Sequence, residues 1–111
     1  MDHTVSLGEF EQLILLAVLR LGNDAYGVSI RNEILVCTRR EVSPGALYTT
    51  LDRLERKGMV ASTTGKPTPE RGGRAKRFYK ATPSGTRQLA TAQRAFQQML
   101  NGLELIGEHH G

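Results

Sequence analysis

A chain of 111 residues with 15 Lys+Arg, 11 Asp+Glu, a net charge of +4 and no Trp is sized for one domain with a modest core. Its densest apolar run, Leu13 to Leu19, stops at Arg20, well short of the roughly 18–20 residues of a membrane span, and Asp2 and His3 are not the basic start of a signal peptide, so neither is expected. Cys37 is the single cysteine, which excludes an intrachain disulfide and a multi-cysteine zinc cluster and fits a reducing cytoplasm.

The first predicted helix runs from about Ser6 to Leu21. Leu7, Phe10, Leu13, Ile14, Ala17, Val18 and Leu21 recur at helical spacing on one face. Leu15, Leu16 and Leu19 widen that face until the second half is apolar nearly all round. Such a helix needs cover on more than one side, which points to a partner chain. Gly22 ends it, and Asn23 or Asp24 is placed to cap a second helix over about Ala25 to Cys37. Tyr26, Ile30 and Ile34 lie along that helix with Leu35 beside them, and Cys37 is expected as a small buried or half-buried side chain.

A third helix, Pro44 to Lys57, has the sharpest boundaries. Ser43 is an N-cap, Pro44 takes the first helical position, and Gly58 supplies the stop after Arg56 and Lys57. Leu47, Leu51 and Leu54 form its inward stripe. At about 100° per residue the opposite side carries Gly45, Thr49, Asp52, Arg53 and Arg56, with Tyr48 at the flank.

Met59 to Thr64 and Ala75 to Ala81 read as two short strands of a hairpin joined by a Gly- and Pro-containing loop over 65–74. Arg77 and Tyr79 fall on one face of the second strand, and Lys76, Phe78 and Lys80 on the other. Thr82-Pro83 repeats the cap-plus-proline start of a last helix, expected to reach Ile106. In it Leu89, Ala92, Phe96, Met99, Leu103 and Ile106 recur with an average period of 3.5, the pattern of helices packed side by side. A helix of roughly 35 Å at 1.5 Å per residue overhangs so small a core. A dimer interface formed by Leu15, Leu89, Ala92, Phe96, Met99, Leu103 and Ile106 is therefore expected.

The positive charge is concentrated. From Arg39 to Lys80 eleven Lys/Arg stand against four Asp/Glu, a net +7, while the residues before sum to −3 and those after to zero. Concentrated charge of this sign suits a polyanion, because phosphate contacts release counterions. The order of elements gives a mainly α fold with a small antiparallel β-hairpin: a winged helix-turn-helix over 1–82, followed by a C-terminal dimerisation segment over 83–111. The third helix is the candidate reader of a DNA major groove. Its expected contacts are Ser43, Gly45, Tyr48, Thr49, Arg53 and Arg56, the arginines being able to grip guanine in two places. Asp52 is expected to orient Arg56 across one turn, the alternative being to accept from a cytosine amino group. Tyr48 has two open roles, donating to a phosphate or packing against the wing. Lys66, Arg74, Lys76 and Arg77 of the hairpin are expected on phosphates or in the minor groove, supplying affinity more than sequence information.

Ser43-Pro44-Gly45-Ala46-Leu47-Tyr48, continuing through Leu51, Arg53-Leu54-Glu55 and Lys57-Gly58, resembles the signature of the PadR family of winged-helix regulators. Tyr26-Gly27, Gly72-Gly73-Arg74, Phe78-Tyr79 and Thr82-Pro83-Ser84-Gly85 extend the resemblance over about residues 7–106, and the single helix after the wing is similar to the short subfamily. The resemblance implies a homodimer in which C-terminal helices pack across the partner's first helix. It also implies repression of nearby genes, relieved by a small hydrophobic effector. Where some relatives carry a Trp that stacks flat aromatic compounds, this chain has Phe96. The expected effector pocket comprises Phe10, Phe96, Met99 and Leu100.

No catalytic set, cofactor motif or metal-ligand spacing is present, so an enzyme is not expected. The reading is thus a cytoplasmic, homodimeric regulator of double-stranded DNA. The alternative is a small-molecule or metal-binding dimer whose DNA contact is secondary.

Overall fold

The computed structural model describes residues 7–65 and 75–105. Helix α1 is Glu9–Leu21, α2 is Gly27–Thr38, α3 is Pro44–Arg56, the strands are β1, Val60–Thr64, and β2, Arg77–Ala81, and α4 is Pro83–Leu100. Helix α1 starts three residues later than its apolar pattern suggests. Glu11 stands at the third helical position and accepts a hydrogen bond from the Gly8 N–H (2.9 Å), which fixes the first turn there. Gly22 ends α1 with φ +61, and Gly22–Asp24 form a single 3-10 turn. Neither Asn23 nor Asp24 caps α2. Ser29 does so from within, accepting from the Tyr26 N–H (2.9 Å) and donating to the Asp24 carbonyl (2.6 Å).

Helix α2 buries Gly27, Ile30 and Ile34. That stripe is narrow enough to leave Leu35 and Cys37 exposed, so the expectation of a buried or half-buried cysteine is corrected. Arg39 takes a left-handed conformation (φ 63) to turn the chain, and Arg31 Nε bonds the Val42 carbonyl (2.8 Å), closing the bend between α2 and α3. Helix α3 begins as its sequence predicts: the Ser43 hydroxyl accepts from the Ala46 N–H (3.1 Å) with Pro44 at the first position. At the other end Gly58 has φ +75.

The strands pair antiparallel in the register Val60↔Ala81, Ser62↔Tyr79, Thr64↔Arg77. The chain entering α2 runs beside β2: Tyr79 N–H donates to the Ala25 carbonyl (2.8 Å), and Tyr26 bridges Phe78. Segment 66–74, and with it Lys66 and Arg74, lies outside the described residues, as does Ile106.

One core serves all these elements. Ile14, Leu15, Ile30, Leu47, Leu51 and Leu54 have no accessible surface, and Val18, Met59, Val60, Tyr79 and Leu89 close around them. Two expectations change as a result. Leu15 and Leu89, assigned to a dimer interface, are buried within their own chain, Leu15 completely and Leu89 to 5 % exposure. The exposed leucines of α1 are Leu16 and Leu19. Helix α4 also ends earlier than the heptad stripe implies, at Leu100, with Asn101 as the cap and Gly102 at φ +82. An Asn-Gly pair stops a helix, and the apolar spacing of Leu103 does not override it.

The start of α4 is clamped to the wing. Thr82 Oγ1 accepts from the Gly85 N–H (3.0 Å) and donates to the Gly58 carbonyl (2.6 Å), and Thr82 N–H donates to the Met59 carbonyl (3.0 Å). A Cβ on Gly85 would overlap that Met59 carbonyl. A Cβ on Gly27 would overlap the hydroxyl end of the Tyr48 side chain, which is free to swing aside. Gly85→Ala, which forces backbone to move, is expected to destabilise the chain by about 3 kcal/mol, and Gly27→Ala by less than half as much. Urea denaturation of the two variants checks the order.

Candidate nucleic-acid interface

The burial of Leu47, Leu51 and Leu54 turns the opposite face of α3 outward. Gly45, Tyr48, Thr49, Asp52, Arg53 and Arg56 are all exposed, as the helical spacing predicts. No atom lies within 4 Å of where a Gly45 Cβ would stand, so the first turn of α3 is open to the close approach of another molecule. Pro44 has no N–H, and Ser43 accepts from the Ala46 N–H through its hydroxyl and from the Leu47 N–H through its carbonyl, so Gly45 is the residue of that turn whose backbone N–H is left for an incoming phosphate. Within the chain Tyr48 does not pack against the wing: its hydroxyl end lies over Gly27 of α2, and its side chain is otherwise exposed.

Arg56 is not held by Asp52 as expected. Asp52 and Arg56 are both exposed, and no ion pair joins them among the described residues. The acidic partner comes from α1 instead. Glu11, with only 7 % of its side chain exposed, accepts from Lys57 Nζ at 2.9 Å, and Arg53 Nη1 stands 3.7 Å from the same Oε2. Burial acts to raise the Glu11 pKa. The Lys57 and Gly8 hydrogen bonds and the charges of Lys57 and Arg53 outweigh it, so the carboxyl titrates below its ordinary value of 4.5. Sequence reasoning missed Glu11 because it is 42 positions from Arg53 and looks like one more first-turn acid of an amphipathic helix.

The wing side chains are also held in place. Arg77 Nε donates to Ser62 Oγ (3.2 Å), and Ser62 donates to Glu55 of α3 (2.8 Å), so a polar chain ties β2 to α3. Lys76 Nζ lies 3.9 Å from the centre of the Tyr26 ring, and Tyr26 meets Phe78 edge-on with ring centres 5.6 Å apart. Arg77 is thus exposed at the strand end and tied to α3 through Ser62 and Glu55, whereas Lys76 beside it is half-buried against Tyr26.

The C-terminal expectations divide along α4. Leu89 is buried and Ala92 half-buried, but Phe96 is 66 % and Met99 77 % exposed. Leu103, past the helix end, is exposed too. Between α1 and α4 lies a cavity of about 280 Å³ lined by Leu7, Glu9, Gln12, Leu13, Leu16, Gln93 and Phe96, crossed by a hydrogen bond from Gln93 Nε2 to Gln12 Oε1 (2.7 Å). Of the expected effector residues only Phe96 lines it. Phe10 packs inward against the core, and Met99 and Leu100 are exposed farther along. Among the described residues no group of His, Cys, Asp and Glu is placed to hold a metal, and no helix is long and apolar enough to cross a membrane.

A capped helix with a buried stripe and a cationic outward face, braced by a two-helix support and flanked by a two-stranded wing, defines a winged helix-turn-helix regulator. Residues 15–91 match the transcriptional regulator PadR-like family, and the chain belongs to that family. Double-stranded DNA is the partner that membership implies. The chain is similar to the transcriptional regulator Rv3488 of Mycobacterium tuberculosis, 36 % identical over 88 residues that cover 79 % of this chain and 77 % of that one. A PadR-like transcription factor from Bacteroides fragilis superposes with a TM-score of 0.67 at 25 % identity, covering 81 % of this chain and 82 % of the other. A transcriptional regulator from Clostridium thermocellum shares the fold, with a TM-score of 0.68 at 23 % identity over 81 % and 84 % of the two chains.

The Glu11 pair carries a pH signature. A carboxyl with a lowered folded-state pKa stabilises the fold above its unfolded value, and that contribution is lost as pH falls through the folded value. The stability difference between wild type and Glu11→Gln is expected to be full at neutral pH and to shrink as pH drops below 4.5. Thermal unfolding of both proteins across that range measures it; a difference constant with pH would contradict the assignment.

Proposed function

We propose that the chain is a homodimeric repressor that reads a two-fold symmetric operator through α3 and releases it in response to a small hydrophobic effector, in the cytoplasm. The observation that carries the reading is the division of α3 into a stripe of leucines with no accessible surface and an opposite face whose residues are all exposed and include Arg53 and Arg56. Among the described residues that face meets the rest of the chain only at its edges, Arg53 at Glu11 and Tyr48 at Gly27, and its residue types match base edges and phosphates. Thr49, Arg53 and Arg56 are assigned to reading. Ser43, Gly45 and Tyr48 are assigned to phosphates, as are Lys76, Arg77 and, in the segment outside the described residues, Lys66 and Arg74.

Dimerisation is supported by the way the apolar stripe of α4 leaves its own core. Leu89 is inside, Ala92 is at the edge, and Phe96 and Met99 stand in solvent together with Leu16 and Leu19 of α1. We assign Ala92, Phe96, Met99 and Leu103, with Ile106 beyond them, to the interface. Segment 83–111 is thus the joining segment, and 1–82 the reading head. The cavity beside Phe96 opens on the same side, so a second copy would wall it and an apolar effector held there would lie between the two chains.

Two copies joined in this way present α3 to half-sites about 34–36 Å apart, one helical turn. Arg53→Ala is expected to lower the preference for operator over random duplex by about tenfold or more, the value of one guanine contact. Lys76→Ala is expected to weaken both alike and to reduce the salt slope by about one unit. Fluorescence anisotropy against salt concentration separates the two, and equal losses on both duplexes for both variants would refute the roles. Phe96→Glu with Met99→Glu is expected to give monomers by sedimentation velocity and at least a hundredfold weaker operator binding, on the order of one half-site's contribution.

A further inference from the structure

Among the described residues the acid that pairs with Arg53, a candidate reading arginine, belongs to another helix. Glu11 Oε2 faces two cations, both from α3 or its cap: Lys57 at hydrogen-bond distance, 2.9 Å, and Arg53 at 3.7 Å. Lys57 is mostly covered, with 24 % of its side chain exposed, whereas Arg53 is 47 % exposed. The other carboxylate oxygen, Oε1, is taken by the Gly8 N–H. The carboxylate is therefore anchored at the start of α1, neutralised by Lys57, and offers Arg53 a fixed electrostatic rest. One acid against two cations leaves a net positive charge, and that charge sits on the more exposed guanidinium. A guanidinium has five N–H donors, so contact through one edge leaves the others free.

We propose that Glu11 is a positioning residue for sequence reading: its buried carboxylate holds the Arg53 guanidinium from behind, aimed outward from α3. The proposal rests on α3 being the reading helix. An arginine left free must be immobilised when it meets a base, and holding it beforehand is worth roughly three- to tenfold in affinity for a contact that needs one orientation. A phosphate contact, which accepts many orientations, gains little. Glu11 therefore acts on specificity. Lys57 has a different duty: at 2.9 Å it compensates the buried carboxylate on its own, so that the Arg53 charge stays available to DNA while the guanidinium keeps its place beside Glu11.

The test uses two probes, the duplex that the wild-type protein selects from a randomised pool and a random-sequence duplex of equal length. The variants are Glu11→Gln, Glu11→Gln with Lys57→Met, Arg53→Ala, and Glu11→Gln with Arg53→Ala. The Gln/Met variant removes the buried pair as a unit with similar volume, so it stays folded if the single change does not. The expected result is a three- to tenfold fall in the selected-to-random affinity ratio for both Glu11 variants, with random-duplex affinity not reduced. In the Arg53→Ala background, Glu11→Gln is expected to change the ratio no further, since the two residues act as one unit. A wild-type ratio in the Gln/Met variant, or additive losses in the double variant, overturns the role of Glu11 and leaves the reading helix in place. Failure of the wild-type protein to select any sequence overturns both.

Discussion

Leu47, Leu51 and Leu54 have no accessible surface, and that constraint decides where every other side chain of α3 points. Burying a leucine completely is worth about 1.5–3 kcal/mol, so rotating the helix to hide its arginines would cost several such terms at once. The serine cap and Pro44 fix where the helix begins, and Gly58 where it stops. A rigid helix of known phase then presents its polar side in one orientation. The partners of the leucines, Ile14, Leu15 and Ile30, come from α1 and α2, so the supporting helices exist in this fold largely to set that phase.

Polar contacts add what packing alone does not supply, a link from the reading helix to each neighbouring element. Glu11 and Lys57 join its C-terminal end to α1, and Ser62 joins Glu55 to Arg77 of the wing. Tyr48 rests on Gly27 of α2. Each of these pairs uses one residue that, seen alone, looks like ordinary surface charge or hydroxyl. Adjacent residues of α1 face opposite ways: Glu11 meets α3, and Gln12 meets Gln93 of α4. A single helical turn of α1 therefore touches both the reading helix and the helix assigned to dimerisation.

The sequence made the elements, their order and the two faces of α3 legible, because each depends on local signals: caps, glycine stops and a 3.6-residue period. Ser43-Pro44 and Thr82-Pro83 are caps in the structure as in the sequence. What failed was non-local. Leu15 and Leu89 were apolar residues with two available destinations, their own core or a partner, and periodicity does not distinguish them. Asp52 was given to Arg56 because it lies one turn away, whereas the acid that reaches α3 is on α1. Cys37 was expected inside because its residue type usually is, but the buried stripe of α2 is Gly27, Ile30 and Ile34 and does not extend to it. The end of α4 was carried too far by a heptad that continues across Asn101-Gly102.

The overlap that forbids a side chain at Gly85 makes α4 an arm fixed at one end. Its first turn is locked to Met59 and Gly58, while the far half carries no buried residue of its own. An arm of 18 residues is about 27 Å long at 1.5 Å per residue, so a tilt of about a tenth of a radian at the pivot sweeps its tip through about 2–3 Å. Leverage of this kind works in both directions. A wedge of fixed thickness opens the arm more widely the closer it sits to the pivot, and the cavity at Gln93 and Phe96 lies past mid-arm. At that point a wedge of given thickness turns the arm through a smaller angle than the same wedge would beside Gly85.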